Sequence, residues 1–190
     1  MSEYSIIKLI KRLWWDLLDP NERKYLVYFF IDGIPGLFGN MLRGRFVSKR
    51  VAHCGVKLTV LAGTRFRSIE KLKIGDNVSI GYDNFIQSRG EVTIGNDVMT
   101  APGVKIWSVN HNVHDPDVLI RKQPETIAEV VIGNDVFIAS NAFILPGVTL
   151  PDGVVVTAGS VVGVKAYKPY SIIAGNPARM IGFRGGKMVE

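Results

Sequence analysis

The sequence predicts an all-β solenoid, because aliphatic residues recur at every sixth position and turn-forming residues fill the intervals between them. The longest ladder is Ile132, Ile138, Ile144, Leu150, Val156 and Val162, and shorter ladders run through Ile74, Ile80 and Ile86 and through Ile94, Thr100 and Ile106. A period of six fits neither an amphipathic α-helix nor one long strand. It is typical of a parallel β-helix, in which each hexapeptide forms one short flat face and then turns a corner.

Composition argues against the disulfide-stabilised, secreted and membrane-spanning classes of protein. The 190 residues are 47% hydrophobic, which is enough to bury the core of one domain. The single cysteine, Cys54, excludes an intramolecular disulfide and fits a reducing compartment. Lys8, Lys11 and Asp16 interrupt the first apolar stretch, so we expect no secretory signal peptide. The run from Tyr25 to Ile31 is too short to span a bilayer. We therefore expect a cytoplasmic protein, with peripheral attachment at the inner face of the membrane left open.

Residues 1–55 are predicted to form a helical segment. Residues 6–18 carry apolar side chains at helical spacing, Asp19-Pro20 ends or restarts that helix, and residues 21–30 allow a second one. Residues 1–50 hold nine Lys or Arg against five Asp or Glu, which is most of the net charge of +6. The segment has two compatible interpretations. It is a cap on the open end of the β-helix, or it is a membrane-surface segment whose basic residues, including Arg43, Arg45, Lys49 and Arg50, meet anionic lipid. The remainder of the chain lacks the aromatic-basic interleaving that is used for base stacking, so we expect no nucleic-acid partner.

The repeat region is expected to cover residues 56–175 in about five coils, followed by a tail at 176–190. Its period fails twice: eight residues separate Ile86 from Ile94, and twenty-six separate Ile106 from Ile132. The first interval predicts a small bulge at Arg89-Gly90. The second predicts an excursion loop over residues 107–131, and long loops on a rigid solenoid are usually functional. This loop contains His111 and His114, and a neutral imidazole can act as a general base.

Residues 72–183 resemble the hexapeptide-repeat acyltransferases, in particular bacterial sugar and polysaccharide O-acetyltransferases. The resemblance is carried by the following motifs: Ile74-Gly75-Asp76-Asn77-Val78, Ala101-Pro102-Gly103-Val104, Asn110-His111, Ile132-Gly133-Asn134-Asp135-Val136, and Gly175-Asn176-Pro177-Ala178-Arg179. It implies a left-handed β-helix, a handedness that departs from the usual right-handed crossover and that spacing alone does not predict. It also implies acetyl-coenzyme A as co-substrate, no metal, and a homotrimer whose active sites lie between subunits.

By resemblance, His111 is the general base that removes a proton from the acceptor hydroxyl, and His114 is the alternative. Asp115, Asp117 and Glu125 remain open as the group that orients the ring. Gln87 falls where relatives place a polar, acceptor-contacting side chain, often Asn. Trp107 and Asn110, which flank the start of the loop, are expected to contact substrate.

On the donor side, the resemblance assigns a groove for coenzyme A. Phe137 matches an aromatic position, and Ser140 matches a residue whose backbone meets the pantetheine arm. Ala158 and Gly159 are small residues against which that arm would lie, although tight packing at a corner explains them equally well. Lys165, Lys168 and Arg179 are candidates for phosphate contacts. Relatives commonly carry Thr-Lys after the preceding strand, whereas this chain has Gly163-Val164-Lys165.

The predicted function is acetyl transfer from acetyl-coenzyme A to a sugar hydroxyl in capsule, exopolysaccharide or O-antigen synthesis. Three alternatives stay open: a galactoside- or maltose-type acetyltransferase, a γ-type carbonic anhydrase, and a non-catalytic scaffold. The carbonic anhydrase would need three histidines on zinc, and the chain offers only His53, His111 and His114, with a His-x-x-His spacing that differs from that family.

Overall fold

A computed structural model describes residues 5–186, except for the side chain of Asn21. Three helices come first: α1 Ile6–Leu18, α2 Pro20–Asp32 and α3 Gly36–Ser48. The predicted helix at 6–18 is confirmed. The Ser5 hydroxyl caps its first turn by accepting from the Lys8 amide at 3.4 Å. Asp19 separates α1 from α2, and Pro20 opens α2, where proline needs no amide donor.

Nineteen short strands follow among the described residues, and most of them form three parallel sheets. Sheet A contains β1 His53–Cys54, β4 Leu72–Ile74, β7 Val92–Ile94, β12 Val130–Ile132 and β15 Thr149–Leu150. Sheet B contains β2 Thr59–Val60, β5 Ser79–Ile80, β8 Met99–Thr100, β13 Phe137–Ile138, β16 Val155–Val156, β18 Ser171–Gly175 and β19 Ala178–Phe183. Sheet C contains β3 Arg65–Arg67, β6 Phe85–Gln87, β9 Lys105–Trp107, β14 Phe143–Ile144 and β17 Val161–Val162.

The chain visits sheets A, B and C in turn, which makes five complete coils of a left-handed parallel β-helix, and β18 begins a sixth. The ladder residues lie on the inside: Ile80, Ile138, Val156 and Ile173 are fully buried in register along sheet B. Strand β19 turns back antiparallel to β18 and covers the last coil. The hexapeptide ladder is therefore the core of the solenoid, as predicted.

The helical segment packs on the first coil through α3, whose buried residues are Gly39, Arg43, Gly44, Phe46 and Val47. A Cβ at Gly44 would lie 2.7 Å from the Leu58 carbonyl oxygen, so only glycine allows this approach. Arg43 is 1% exposed. The prediction that Arg43 meets a lipid surface is therefore wrong, because its guanidinium is enclosed by backbone carbonyls and does not face solvent.

Helix α1 contributes no buried residue. Its apolar side chains are largely exposed, including Ile6 at 75% and Trp14 at 63%. Arg12 pairs with Asp16 at 3.0 Å on the same helix. Within residues 5–186, no helix combines the length and the apolar character that a membrane span needs.

Candidate active site

The predicted excursion leaves the solenoid after β9 and returns at β12, and it forms a β-hairpin arm. Strands β10 Val109–His111 and β11 Glu125–Ile127 pair antiparallel, with His111 opposite Glu125. A hairpin fixes the direction of its side chains as an open loop would not. The arm therefore holds His111 and Glu125 across from each other at the point where it starts to project.

Ser108 anchors the root of the arm and is fully buried. Its hydroxyl donates to the Gln87 carbonyl at 2.7 Å and accepts from the Gly90 amide at 2.9 Å. Its own carbonyl accepts from the Ala128 amide at 3.0 Å, on the returning strand of the arm. The sequence interpretation missed this residue, because a lone serine at a strand end carries no signal.

The tip of the arm is closed by Gln123, which is buried. Its amide nitrogen donates to the carbonyls of Asp115 and Val118, both at 2.8 Å, and its amide oxygen accepts from the Asp115 amide at 3.3 Å. The Asp115 carboxylate accepts from the Asp117 amide at 3.0 Å. Asp115 and Asp117 are therefore engaged in the turn at the tip.

A small cavity lies between the root of the arm and sheet C. Its volume is about 160 Å³, and it is lined by Arg67, Phe85, Gln87, Trp107, Val109, Asn110, His111 and Glu125. The structure thus brings together His111 and all three predicted acceptor contacts: Gln87, Trp107 and Asn110. His114 does not line this cavity, and of the three carboxylates left open by the sequence only Glu125 does.

Charges and hydrogen bonds organise the cavity wall. The Arg89 guanidinium forms an ion pair with Glu125, and the Arg89 amide donates to the Gln87 side-chain oxygen at 3.2 Å. The Asn110 side-chain oxygen accepts from the His111 amide at 3.0 Å. Arg89, predicted only as part of a bulge, therefore orients both Glu125 and Gln87.

Trp107 forms the apolar floor of the cavity. Its ring packs edge-to-face between Phe85 and Phe143, with centroid distances of 5.8 and 5.5 Å. Its indole N–H is buried and has no hydrogen-bond partner among residues 5–186. An unsatisfied buried donor costs about 1–3 kcal/mol.

The donor-side residues lie elsewhere. Ser140, Ala158 and Gly159 belong to the turns from sheet B to sheet C, where the Gly159 amide donates to the Ser140 carbonyl at 2.9 Å. Phe137 lies on β13 and is 36% exposed. Nothing lies within 4 Å of the position that a Cβ on Gly159 would occupy. Packing within this chain therefore does not require a small residue there.

The three predicted phosphate contacts follow β17. The Lys165 ammonium donates to the Ala178 carbonyl at 3.1 Å, which places it beside the residue that precedes Arg179. Arg179 and Lys168 are exposed. None of the seven donor-side residues lines the His111 cavity. Within one chain, the predicted catalytic and donor-binding groups remain apart.

Arg67 was also missed, although the sequence held a signal for it. Arg67, Gln87 and Trp107 lie in register on β3, β6 and β9, at intervals of twenty residues, the length of one early coil. Within residues 5–186 no group of three or more His, Cys, Asp or Glu side chains is arranged to hold a metal ion.

Comparison with known proteins links the chain to acetyl transfer. No protein-family model matches it. It is 40% identical to the galactoside O-acetyltransferase of Escherichia coli (strain K12), over 56% of this chain and 54% of that protein. It is 32% identical to a protein of the same strain proposed to be a colanic acid biosynthesis acetyltransferase, over 58% of each. The chain thus spans somewhat more than half the length of these two relatives.

Solved structures agree over a longer stretch. A galactoside acetyltransferase in complex with coenzyme A matches with a TM-score of 0.74 and 25% identity, over 100% of this chain and 93% of that one. The maltose O-acetyltransferase from Clostridium difficile 630 matches with a TM-score of 0.73 and 26% identity, over 89% and 86%.

Proposed function

This chain is a relative of the hexapeptide-repeat acetyltransferases, and on that premise we propose that it transfers an acetyl group from acetyl-coenzyme A to a sugar hydroxyl. The observation that carries the proposal is the single cavity lined by His111, Gln87, Trp107 and Asn110. The proposed setting is the synthesis of a bacterial polysaccharide, which the relative proposed to act in colanic acid biosynthesis supports.

In the proposed reaction, a sugar hydroxyl attacks the carbonyl carbon of the acetyl thioester. His111 takes the hydroxyl proton as the oxygen–carbon bond forms, and the carbon–sulfur bond then breaks. The imidazolium returns the proton to the departing coenzyme A thiolate. In this proposal Gln87 and Asn110, which line the cavity, hydrogen-bond the sugar, Trp107 packs against it, and Glu125, the strand partner of His111, orients the imidazole. A backbone amide near Ser140 is the proposed stabiliser of the charge on the thioester oxygen.

We also propose a homotrimer. The distribution of the candidates supports it, because the cavity of one chain holds His111 but none of Phe137, Ser140, Ala158 or Gly159. A second copy that presents its turn at Ser140 and Gly159 to this cavity would complete the site. Sedimentation equilibrium tests this proposal: the measured mass should be three times the 21.0 kDa of one chain, and the mass of a single chain would contradict it.

The first test of the function combines donor binding with product analysis. Calorimetry should detect coenzyme A binding, and mass spectrometry should detect an acetylated product when acetyl-coenzyme A and a bacterial polysaccharide, galactose or maltose are supplied. Acetylation of galactose or maltose alone favours the small-sugar alternative. Failure to bind coenzyme A would support a non-catalytic scaffold.

Gly159→Asn should weaken coenzyme A binding while leaving the fold intact. Gly159 has φ +68°, and Asn141, the corresponding residue of the preceding coil, already adopts φ +59°. The added side chain would point into space that this chain leaves empty. We expect the calorimetric dissociation constant for coenzyme A to rise about tenfold, or about 1.4 kcal/mol, with little change in the thermal unfolding midpoint. Unchanged affinity would remove Gly159 from the donor groove.

We further propose that α1 attaches the protein to the inner face of the membrane. Its exposed apolar side chains, together with Lys8, Lys11 and Arg12, support binding to anionic lipid. Each basic residue near such a surface is worth about 1 kcal/mol. Lys8→Gln combined with Lys11→Gln should therefore lower the partition coefficient onto phosphatidylglycerol vesicles roughly 30-fold.

The matched control for this membrane test is Lys57→Gln combined with Lys122→Gln, which removes the same charge from exposed positions outside α1, α2 and α3. Co-sedimentation of this control should equal that of the unmodified protein. Equal co-sedimentation of the unmodified protein with anionic and neutral vesicles would contradict the proposal.

A further inference from the structure

A larger cavity, of about 610 Å³, lies between α2 and the start of the solenoid. Helix α2 supplies one wall, and α3, the turn after β3, and strands β3 and β6 supply the others. The floor is aromatic, with the Tyr28 ring 5.1 Å from that of Phe46 and 6.1 Å from that of Phe66. This volume is in the range of small-molecule sites.

The large cavity and the His111 cavity are neighbours, because Arg67 and Phe85 line both. Arg67 is in register with Gln87, and Gln87 with Trp107, on adjacent parallel strands. Strands lie roughly 4.8 Å apart, which places the Arg67 backbone about 10 Å from that of Trp107. Because Arg67 lines both cavities, an anionic substituent on a sugar bound in the His111 cavity can reach it.

The large cavity carries more positive than negative charge. Lys24, Arg50, Arg65 and Arg67 line it, against Glu22 and Asp32. Asp32 already accepts from the Gly63 amide at 2.9 Å. Lys24 faces Glu70 at 3.5 Å, and Arg50 stacks over the Phe46 ring at 3.6 Å.

Arg65 and Arg67 differ from those two residues, since neither makes an ion pair or a side-chain hydrogen bond within residues 5–186. Arg65 and Arg67 lie two residues apart on β3, so both side chains project from the same face of sheet C. Both side chains are exposed to solvent where they line the cavity, so a carboxylate or phosphate that enters it can form charge-assisted hydrogen bonds with them.

The Tyr28 hydroxyl adds a neutral donor. Its oxygen is buried and has no hydrogen-bond partner among the described residues. Burial and, to a lesser extent, the charge of Asp32 raise the pKa of Tyr28. The phenol therefore keeps its proton at neutral pH and stays a neutral group within the wall that Tyr28 gives to the cavity.

We infer that this cavity binds an anionic group of the acceptor, a carboxylate or a phosphate, held by Arg65 and Arg67 while a hydroxyl of the same acceptor reaches His111. The inference rests on the proposed function and adds an acceptor class: an acidic sugar or a sugar phosphate rather than a neutral sugar.

The test compares three acceptors built on one ring: glucose, glucuronate and glucose 1-phosphate. Calorimetry measures their binding, and release of the coenzyme A thiol measures kcat/KM. We expect at least one of the two anionic probes to exceed glucose at least tenfold in both measurements. Preference for glucuronate identifies a carboxylate as the natural group, and preference for glucose 1-phosphate identifies a phosphate.

Arg65→Gln should lower the ratio of anionic to neutral kcat/KM at least tenfold, because a charge-assisted hydrogen bond is lost. The control, Arg23→Gln combined with Arg45→Gln, removes charge from exposed helical positions outside both cavities and should leave the ratio unchanged. Equal use of all three probes, or equal ratios in Arg65→Gln and the control, would overturn the inference. Anion binding that depends on Arg65 without any acetyl transfer would support the anion site and count against the proposed function.

Discussion

Replacing His111 with alanine should reduce kcat for acetyl transfer by 10²–10⁴-fold, the usual contribution of a positioned general base. In the proposed reaction the imidazole is the group that takes the proton of the acceptor hydroxyl, and it shares one cavity with Gln87, Trp107 and Asn110. Only its backbone amide makes a hydrogen bond to Asn110, and alanine keeps that amide. The fold and the affinity for coenzyme A should therefore be almost unchanged, as circular dichroism and calorimetry would measure.

His114→Ala is the informative partner of this variant, because both histidines are exposed on the same arm. His114 lies outside the cavity, and its amide donates to the Asn112 side chain at 3.2 Å. We expect its kcat to stay within a few-fold of the unmodified protein. If His114→Ala lost activity and His111→Ala kept it, the role of base would pass to His114.

Arg43→Met should lower the free energy of unfolding by about 3–5 kcal/mol, the loss typical when a buried charge network is broken. The Arg43 guanidinium donates to the carbonyls of Asp32 at 2.9 Å, Ile34 at 2.8 Å and Val60 at 3.1 Å. It also donates to the Ile31 carbonyl at 3.3 Å and the Asn40 side chain at 2.6 Å. Methionine fills a similar volume but leaves these oxygens buried without donors.

The control for Arg43 is Arg45→Met, two residues along α3, where the side chain is exposed. That change should alter stability by no more than about 0.5 kcal/mol. Urea unfolding followed by circular dichroism measures both variants. Limited trypsin digestion should release the helical segment faster only in Arg43→Met, since Arg43 joins the α2–α3 turn to β2. Equal stability of the two variants would contradict this role.

The fold could be predicted because the six-residue period recurs many times along the chain. Each aliphatic residue of the ladder from Ile74 to Val162 marks the same inward-facing position, so one irregular coil does not hide the pattern. The helix at 6–18 could be predicted equally well, because its apolar residues recur at helical spacing and Asp19-Pro20 marks its end. The interruption after Ile106 was also visible, and it located the arm that carries His111.

The candidate site could be predicted only in part. Gln87, Trp107 and His111 were named from the sequence by resemblance, whereas Arg67 and Ser108 were not, and Arg89 was predicted only as part of a bulge. Most of their contacts, such as those of Arg67 and Ser108 with Gln87 and of Arg89 with Glu125, join residues twenty or more positions apart and depend on which coils are adjacent. Arg43 is the clearest error, because charge alone predicts a solvent-facing side chain.

The sequence by itself determined the solenoid, the position of its long interruption and the histidine carried there, since all three are local or periodic properties of the chain. Only the tertiary structure decided that the excursion folds as a hairpin and that Glu125 rather than Asp115 or Asp117 shares the His111 cavity. It also decided that Arg65 and Arg67 line a second cavity without an ion-pair partner among residues 5–186. Stacking brings residues from successive coils to about 5 Å from each other, and that contact is set by coil length rather than by any neighbouring residue in the sequence.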